Sequence, residues 1–319
     1  MFKIFNLLEN QNSVHWNWVT LSGQDTQDFL HRITSTDVKN LALGHGCPAC
    51  FLSPQGKVQS FFTLWHYQPQ EYALEFESGD SNHWKTQLLS VIEQYTFGEQ
   101  LSVFDVTDRL DCFWVFIESQ LPEEVYFPEM PKIQEWQTLA TPEGVRICHH
   151  GSKTYGIPWL SIWGEPSLLH SWVARYFPEA VHLSIRELEE KRILALQPRI
   201  DFEITRDVIP LEVGLKETIA ENKGCYPGQE VIEKIIARGA PPKRLVQIQG
   251  RAEILYRGDQ IYNLADPPTE IGQITSITHT ENKFLALALI KKIHAKENLE
   301  VQFLKPSNLR AIICKIVAD

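Results

Sequence analysis

Lys223-Gly224-Cys225-Tyr226-Pro227-Gly228-Gln229-Glu230 sets one thiol between a lysine, two glycines and a glutamine–glutamate pair. Pro227-Gly228 is a turn signal. Beyond it Val231, Ile232, Ile235 and Ile236 share one face of a helical period, so a helix is expected to start where the run ends. Cys225 then lies just before a helix N-terminus. A cysteine used only for packing needs no adjacent cation and sits most readily among aliphatic side chains. Lys223 and the free N–H groups of a helix start both favour thiolate over thiol, while Glu230 opposes them. Gly224 and Gly228 let the backbone approach a ligand closely or take positive φ. Gln229 and Glu230 suit the donor-rich edge of a heterocycle. The same residues also read as a capped turn with an incidental cysteine, and composition alone leaves both readings open.

Downstream of this run, past Gly239-Ala240-Pro241-Pro242, only strand patterns remain: Leu245 to Ile248, Ile271 to Ile277, Phe284 to Ile290, Leu299 to Phe303 and Ile312 to Val317. Five short strands in succession predict a small closed or nearly closed β domain. Upstream, strands and helices are interspersed. Val14, Trp16 and Trp18 alternate with polar residues, and Phe29, Leu30 and Ile33 have helical spacing. Ser53-Pro54-Gln55-Gly56 predicts a hairpin turn between Cys50–Leu52 and Val58–Tyr67. Tyr72 to Phe76, Leu101 to Asp105, Phe113 to Ile117 and Val145 to Cys148 read as strands, and His83 to Tyr95, Leu168 to Tyr176 and Ile185 to Leu196 as helices. Leu121 to Gly144, rich in proline and glutamate, reads as an irregular excursion. The expected class is α+β with mostly antiparallel pairing, divided as 1–110, 111–240 and 241–319, with the Pro-Pro pair as the last boundary.

The chain has 319 residues, 43% hydrophobic and 22% charged, enough for about two or three folded domains. A formal net charge of -10 argues against affinity built on neutralising phosphates, so no direct nucleic-acid partner is expected. Met1 to Asn10 resembles neither a signal peptide nor an anchor, and the longest apolar run, Phe284 to Ile290, is too short to span a bilayer. No membrane partner is expected, and the cytoplasm is the simplest address. Cys47, Cys50, Cys112, Cys148, Cys225 and Cys314 form no regular framework, which favours reduced thiols.

The run Lys223–Glu230 resembles the signature of the YgfZ family, folate-binding relatives of the glycine-cleavage T protein that include mitochondrial iron–sulfur assembly factors. Ile209-Pro210-Leu211-Glu212-Val213-Gly214-Leu215 resembles the segment preceding that signature, and Arg192-Ile193 followed by Pro198 is similar to the helix before it. Leu21-Ser22-Gly23-Gln24-Asp25 with Thr36-Asp37-Val38, Pro54-Gln55-Gly56-Lys57 and Ile271-Gly272-Gln273-Ile274-Thr275-Ser276 extend the similarity over nearly the whole chain. The resemblance implies two interleaved α+β domains and a C-terminal β-barrel around a folate channel. It further implies binding of tetrahydrofolate or a related reduced folate, and support for assembly or repair of iron–sulfur clusters through client or assembly proteins. Among those clients would be enzymes that modify tRNA, so any RNA role is indirect. Cys225 and Lys223 would act chemically, while Gly224, Tyr226, Gly228, Gln229, Glu230 and Arg192 would hold the folate.

The match to the T protein itself is incomplete. Glu77-Ser78-Gly79-Asp80-Ser81-Asn82 offers only Asp80 where a catalytic acid is expected, and His149 to Gly156 lacks the glutamate that reads the pterin. Leu196 replaces the glycine that often ends the arginine helix. Folate-dependent aminomethyl or one-carbon transfer is therefore an alternative rather than the leading reading, and turnover as an enzyme is left open. A second alternative is a thiol-redox or metal protein built on Cys47-Pro48-Ala49-Cys50, although no second ligand pair follows at suitable spacing. His149 and His150 point to opposite faces if the segment is extended, which disfavours joint metal ligation. The nine tryptophans read mainly as core, and Lys243-Arg244 as surface.

Overall fold

The computed structural model describes residues 2–7, 14–79, 82–118, 124–125, 132–251, 254–280, 282–304 and 309–317. The chain divides into two units: Met1–Leu52, Gln59–Ile185 and Glu217–Pro227 form one, and Ser53–Val58, Arg186–Lys216 and Gly228–Asp319 the other.

The first unit contains two sheets. Strands β2 (Trp16–Ser22), β3 (His45–Leu52), β4 (Val58–Gln68), β5 (Glu71–Glu77) and β6 (Ser102–Asp105) lie in the order β3-β4-β5-β2-β6. Alternation sends Val19 and Leu21, Phe62 and Leu64, and Tyr72, Leu74 and Phe76 to one face. There they meet Phe29, Leu30 and Ile33 of α1 (Thr26–Ile33) and Leu88, Val91 and Ile92 of α2 (His83–Tyr95). The second sheet takes β1 (Phe2–Asn6), β7 (Asp111–Ile117), β10 (Thr138–Ala140), β11 (Arg146–His149), β12 (Trp159–Gly164) and β13 (Val181–His182), in the order β10-β11-β12-β7-β1-β13. Ile4, Val115, Leu160 and Ile162 face α3 (Pro166–Tyr176), where Leu169, Trp172 and Val173 complete a second core. Pro166 opens α3 behind Glu165, whose carboxylate caps the Leu168 N–H at 3.1 Å. A separate two-stranded ribbon joins β8 (Glu124–Val125) to β9 (Ile133–Gln134).

Interleaving comes from β1, which leaves its neighbours in sequence and pairs antiparallel with β7 and parallel with β13. The opposite faces of the two sheets are aromatic. Trp16 meets Trp114 edge-on with centroids 4.7 Å apart, and Trp18 lies against Trp163 at 5.0 Å.

The second unit closes β14 (Lys243–Arg251), β15 (Gln260–Tyr262), β16 (Glu270–His279), β17 (Lys283–Lys291), β18 (Glu300–Phe303) and β19 (Leu309–Ile316) into a barrel ordered β14-β17-β16-β15-β18-β19. Val246, Ile248, Ile274, Phe284, Ala286, Ala288 and Phe303 fill it. Helices α4 (Ile185–Leu194) and α5 (Gln229–Ala237) belong to the same unit. α4 ends in a Schellman motif: Gln197 N–H reaches Arg192 O at 3.0 Å and Leu196 N–H reaches Ile193 O at 3.1 Å. Leu196 takes the left-handed position, φ 59°, that glycine usually fills, and its side chain packs beside Ile193, Leu245 and Leu287.

The fold is α+β with a closed C-terminal barrel, as expected, but several strands went unanticipated. The barrel has six strands rather than five, because Gln260–Tyr262 is too short to show a period. The buried strand Trp159–Gly164 was passed over, although Leu160 and Ile162 alternate with Trp159, Ser161 and Trp163. Much of the excursion expected at 121–144, and Asp80, lie outside the described residues. The division at 110 and 240 stays a proposal for folding domains. Both sheets share one unit, and 228–240 belongs with the barrel.

Candidate functional site

The thiol-bearing loop ends the last segment of the first unit. Lys223 is 9% exposed, and its ammonium donates to three backbone carbonyls: His31 O at 2.6 Å, Thr34 O at 2.6 Å and Thr36 O at 2.8 Å. An ammonium has three protons, and all three are committed. The acceptors lie at and just beyond the C-terminus of α1, where carbonyls lack helical partners and the dipole is negative. The Tyr226 ring sits 5.1 Å from the same nitrogen. Burial pushes the Lys223 ammonium down to about 8, with the charges of Asp37 and Cys47 opposing it. Lys223 was expected to act on the neighbouring thiol; the contacts it makes are those of a cap that ties the loop to α1.

With the loop so anchored, Cys225 is exposed. Arg32, Ile33, Tyr95, Phe97, Tyr226 and Pro227 line an open, mostly apolar cavity of about 470 Å³ with it. Arg32 is turned aside by an ion pair with Glu99 and a 3.1 Å bond to Tyr95 O. That Arg32 contact holds Glu99 down to about 2. Phe97 is 82% exposed at the rim.

The other thiols differ. Burial raises Cys47 to about 11 and Cys50 to about 12, and drives Cys112 and Cys148 far above the usual thiol range. Cys47 and Cys50 stand three positions apart on β3, which places their Cα atoms roughly 10 Å apart on opposite faces, too far for a disulfide. Among the described residues no three His, Cys, Asp or Glu side chains converge to hold a metal ion.

From Gly228 onward the motif lies in the second unit. Gly228 caps α5 at φ 82°, and a Cβ there would stand 2.5 Å from Ser53 O and 2.9 Å from Gly56 Cα. Both the torsion and the close approach require glycine. Gly224 has ordinary φ and nothing within 4 Å of where a Cβ would be. Gln229 donates to Glu233 at 2.7 Å, and Glu230 occupies the first turn of α5, where its charge complements the helix dipole.

Arg192, expected at a folate, is engaged within the second unit. It is 2% exposed, and its five N–H groups reach Glu189, Glu203 Oε2 at 2.9 Å, Gln197 O at 2.9 Å and Ser276 Oγ at 2.8 Å. Ser276 passes the contact to Glu203 Oε1 at 2.6 Å. All five N–H groups have protein partners, and the guanidinium joins α4 to the barrel strand β16.

Sequence reasoning also missed Glu75. It is 1% exposed between the two sheets of the first unit. Oε1 accepts from Trp16 Nε1 at 2.9 Å and Trp163 Nε1 at 3.0 Å, and Oε2 accepts from Trp65 Nε1 at 2.7 Å. His150 Nε2 lies 3.3 Å from Oε2 and 2.8 Å from Ser161 Oγ, with its ring stacked 3.9 Å from Trp159. Burial alone would raise the carboxyl, but the His150 charge and these donors hold it below the usual range. The signal was present in sequence as a single charge inside the apolar strand Tyr72-Ala73-Leu74-Glu75-Phe76. Its three indole partners were scattered too widely to be read.

Among the described residues no helix is long and apolar enough to cross a membrane. No family model matches the chain. A putative chloroplastic transferase of Arabidopsis thaliana is 21% identical over 87% of this chain and 64% of its own length, so the chain spans less than two thirds of that relative. The tRNA-modifying protein YgfZ of Photorhabdus laumondii is 21% identical over 84% of this chain and 79% of its own. Among solved structures, the glycine cleavage system aminomethyltransferase T of Bartonella henselae superimposes with a TM-score of 0.81. It covers 98% of this chain and 85% of its own at 14% identity.

Proposed function

We propose, from the premise that this is a YgfZ-like chain on a glycine-cleavage T-protein fold, that it binds a reduced folate and presents Cys225 in support of iron–sulfur cluster assembly or repair. The observation that carries the reading is an exposed thiol opening onto an aromatic-walled cavity, while burial raises the other five thiols, Cys47 to about 11 and Cys50 to about 12. Tyr95, Phe97 and Tyr226 suit the flat rings of a folate, and the cavity is wide enough for a substantial part of one. When bound, a reduced folate supplies a carrier nitrogen for one-carbon units and a readily oxidised ring. Lys223 holds the loop, Tyr226 packs on that lysine, and Cys225 stays accessible to a client protein. The iron–sulfur cluster would be cargo delivered to or from that client. A net charge of -10 supports service to a tRNA-modifying enzyme over a direct grip on RNA. Six free cysteines are consistent with the cytoplasm as the place of work.

Aminomethyl transfer is the weaker reading, because among the described residues the two buried acids of the first unit, Glu75 and Asp111, are both tied to protein donors. Calorimetric titration with tetrahydrofolate and its one-carbon derivatives tests the ligand. Reconstitution of an iron–sulfur enzyme with Cys225→Ala tests the thiol: repair should fall at least tenfold, and unchanged repair removes Cys225 from the mechanism.

A further inference from the structure

We propose that the first unit carries a second ligand site, for a small planar heterocycle bearing amino groups, of the purine or pterin type and without a phosphate. The site is a cavity of about 340 Å³ that shares no described lining residue with the cavity at Cys225, so it stands independently of the reading above. Two of its walls are the rings of Trp16 and Trp163. Both indole N–H groups are pinned to Glu75 Oε1, at 2.9 and 3.0 Å, so the rings are held in place before any ligand arrives. Such preorganised aromatic faces suit a flat ring system at little entropic cost.

The polar wall is rich in acceptors. Asn17 is 2% exposed and lines the cavity. Its amide N–H groups point to His15 O at 3.2 Å and Phe76 O at 3.5 Å, which leaves the Oδ1 acceptor without a donor among the described residues. An amide oxygen in a cavity wall with no protein donor is available to an N–H that a ligand brings. Asp111 lies in the same wall, with one oxygen taking the Cys112 N–H at 2.7 Å and the other His170 Nε2 at 2.8 Å. Each oxygen keeps a further lone pair. Asp108 adds a second carboxylate at the exposed rim, and Lys85, the one lysine among the described lining residues, is paired with Asp105 at 3.0 Å. Acceptors and negative charge select amino groups and disfavour phosphate.

Titration of the full chain with guanosine, 6-hydroxymethylpterin and GMP, followed by calorimetry and tryptophan emission, separates the sources. Guanosine or the pterin should bind and quench emission, and GMP should bind at least about tenfold more weakly than guanosine. Asn17→Leu should weaken the bound heterocycle about tenfold or more, while Cys225→Ala should leave it unchanged. Asp108→Lys, at an exposed position that does not threaten folding, should narrow the gap between guanosine and GMP. No binding of either heterocycle at about 1 mM, binding indifferent to folded Asn17→Leu, or a guanosine–GMP gap indifferent to Asp108→Lys overturns the proposal.

Discussion

Gly224 and Gly228 stand in one short run, yet they do different work. Gly228 combines φ 82° with a Cβ path blocked by backbone, whereas Gly224 has neither constraint. Gly228→Ala should therefore destabilise the protein by about 1–3 kcal/mol, and Gly224→Ala should change stability by less than about 0.5 kcal/mol, both read from urea midpoints. Loss of folate binding in Gly224→Ala with stability intact would mark that glycine as a ligand contact. His149 offers a pH test. Its Nδ1 accepts the Gly151 N–H at 3.0 Å, and burial, followed by the charge of His150, pushes its ring down to about 4. The unfolded chain takes up the proton near the ordinary value of about 6.5, before the folded one. Stability present above pH 6.5 should then be lost as the pH falls toward 4, by roughly 3 kcal/mol in total. Urea midpoints from pH 7 to 5 should drop in the native chain, and the slope should flatten in His149→Asn.

At the scale of elements, α1 is a helix of eight residues, and its C-terminus is finished by a lysine that arrives from nearly two hundred positions away. Lys223→Met leaves three carbonyls without a donor and should cost about 2–4 kcal/mol, measured by thermal or urea unfolding. If Lys223 served only to tune Cys225, this substitution would leave stability unchanged and slow thiol alkylation alone. The contacts of Lys223 were not legible in the sequence. A lysine two places from a cysteine reads as its partner, because local spacing is visible and a cap supplied by a distant loop is not. For Arg192, likewise, its helix and its following proline were legible, but Glu203 and Ser276, which take up its remaining donors, were not. The turn at Ser53–Gly56, helix α2 and five barrel strands were legible because each rests on a local period or turn signal. Trp159–Gly164 shows the limit, since a strand buried on both faces loses much of the contrast that alternation provides.

Across the whole molecule, Glu75 is the polar centre between the two sheets of the first unit. Glu75→Gln keeps the size but replaces one acceptor oxygen with a donor facing indole N–H groups. It should cost about 2–4 kcal/mol, with the tryptophan emission shifted toward that of solvated indole; a variant as stable as the native chain would show that the charge is dispensable. The general class of the fold could be read from sequence because it follows from the order of periods along the chain. The interleaving could not, because Phe2–Asn6 carries no mark of which later strand it will join.

That choice of partner has a temporal cost. Phe2–Asn6 emerges from the ribosome more than a hundred residues before β7 and still earlier than β13, so at about 5–20 residues per second it waits roughly 5–20 s with an apolar edge unpaired. The sheet it belongs to cannot close progressively during synthesis, and the nascent chain is then exposed to chaperones or to mispairing for that interval.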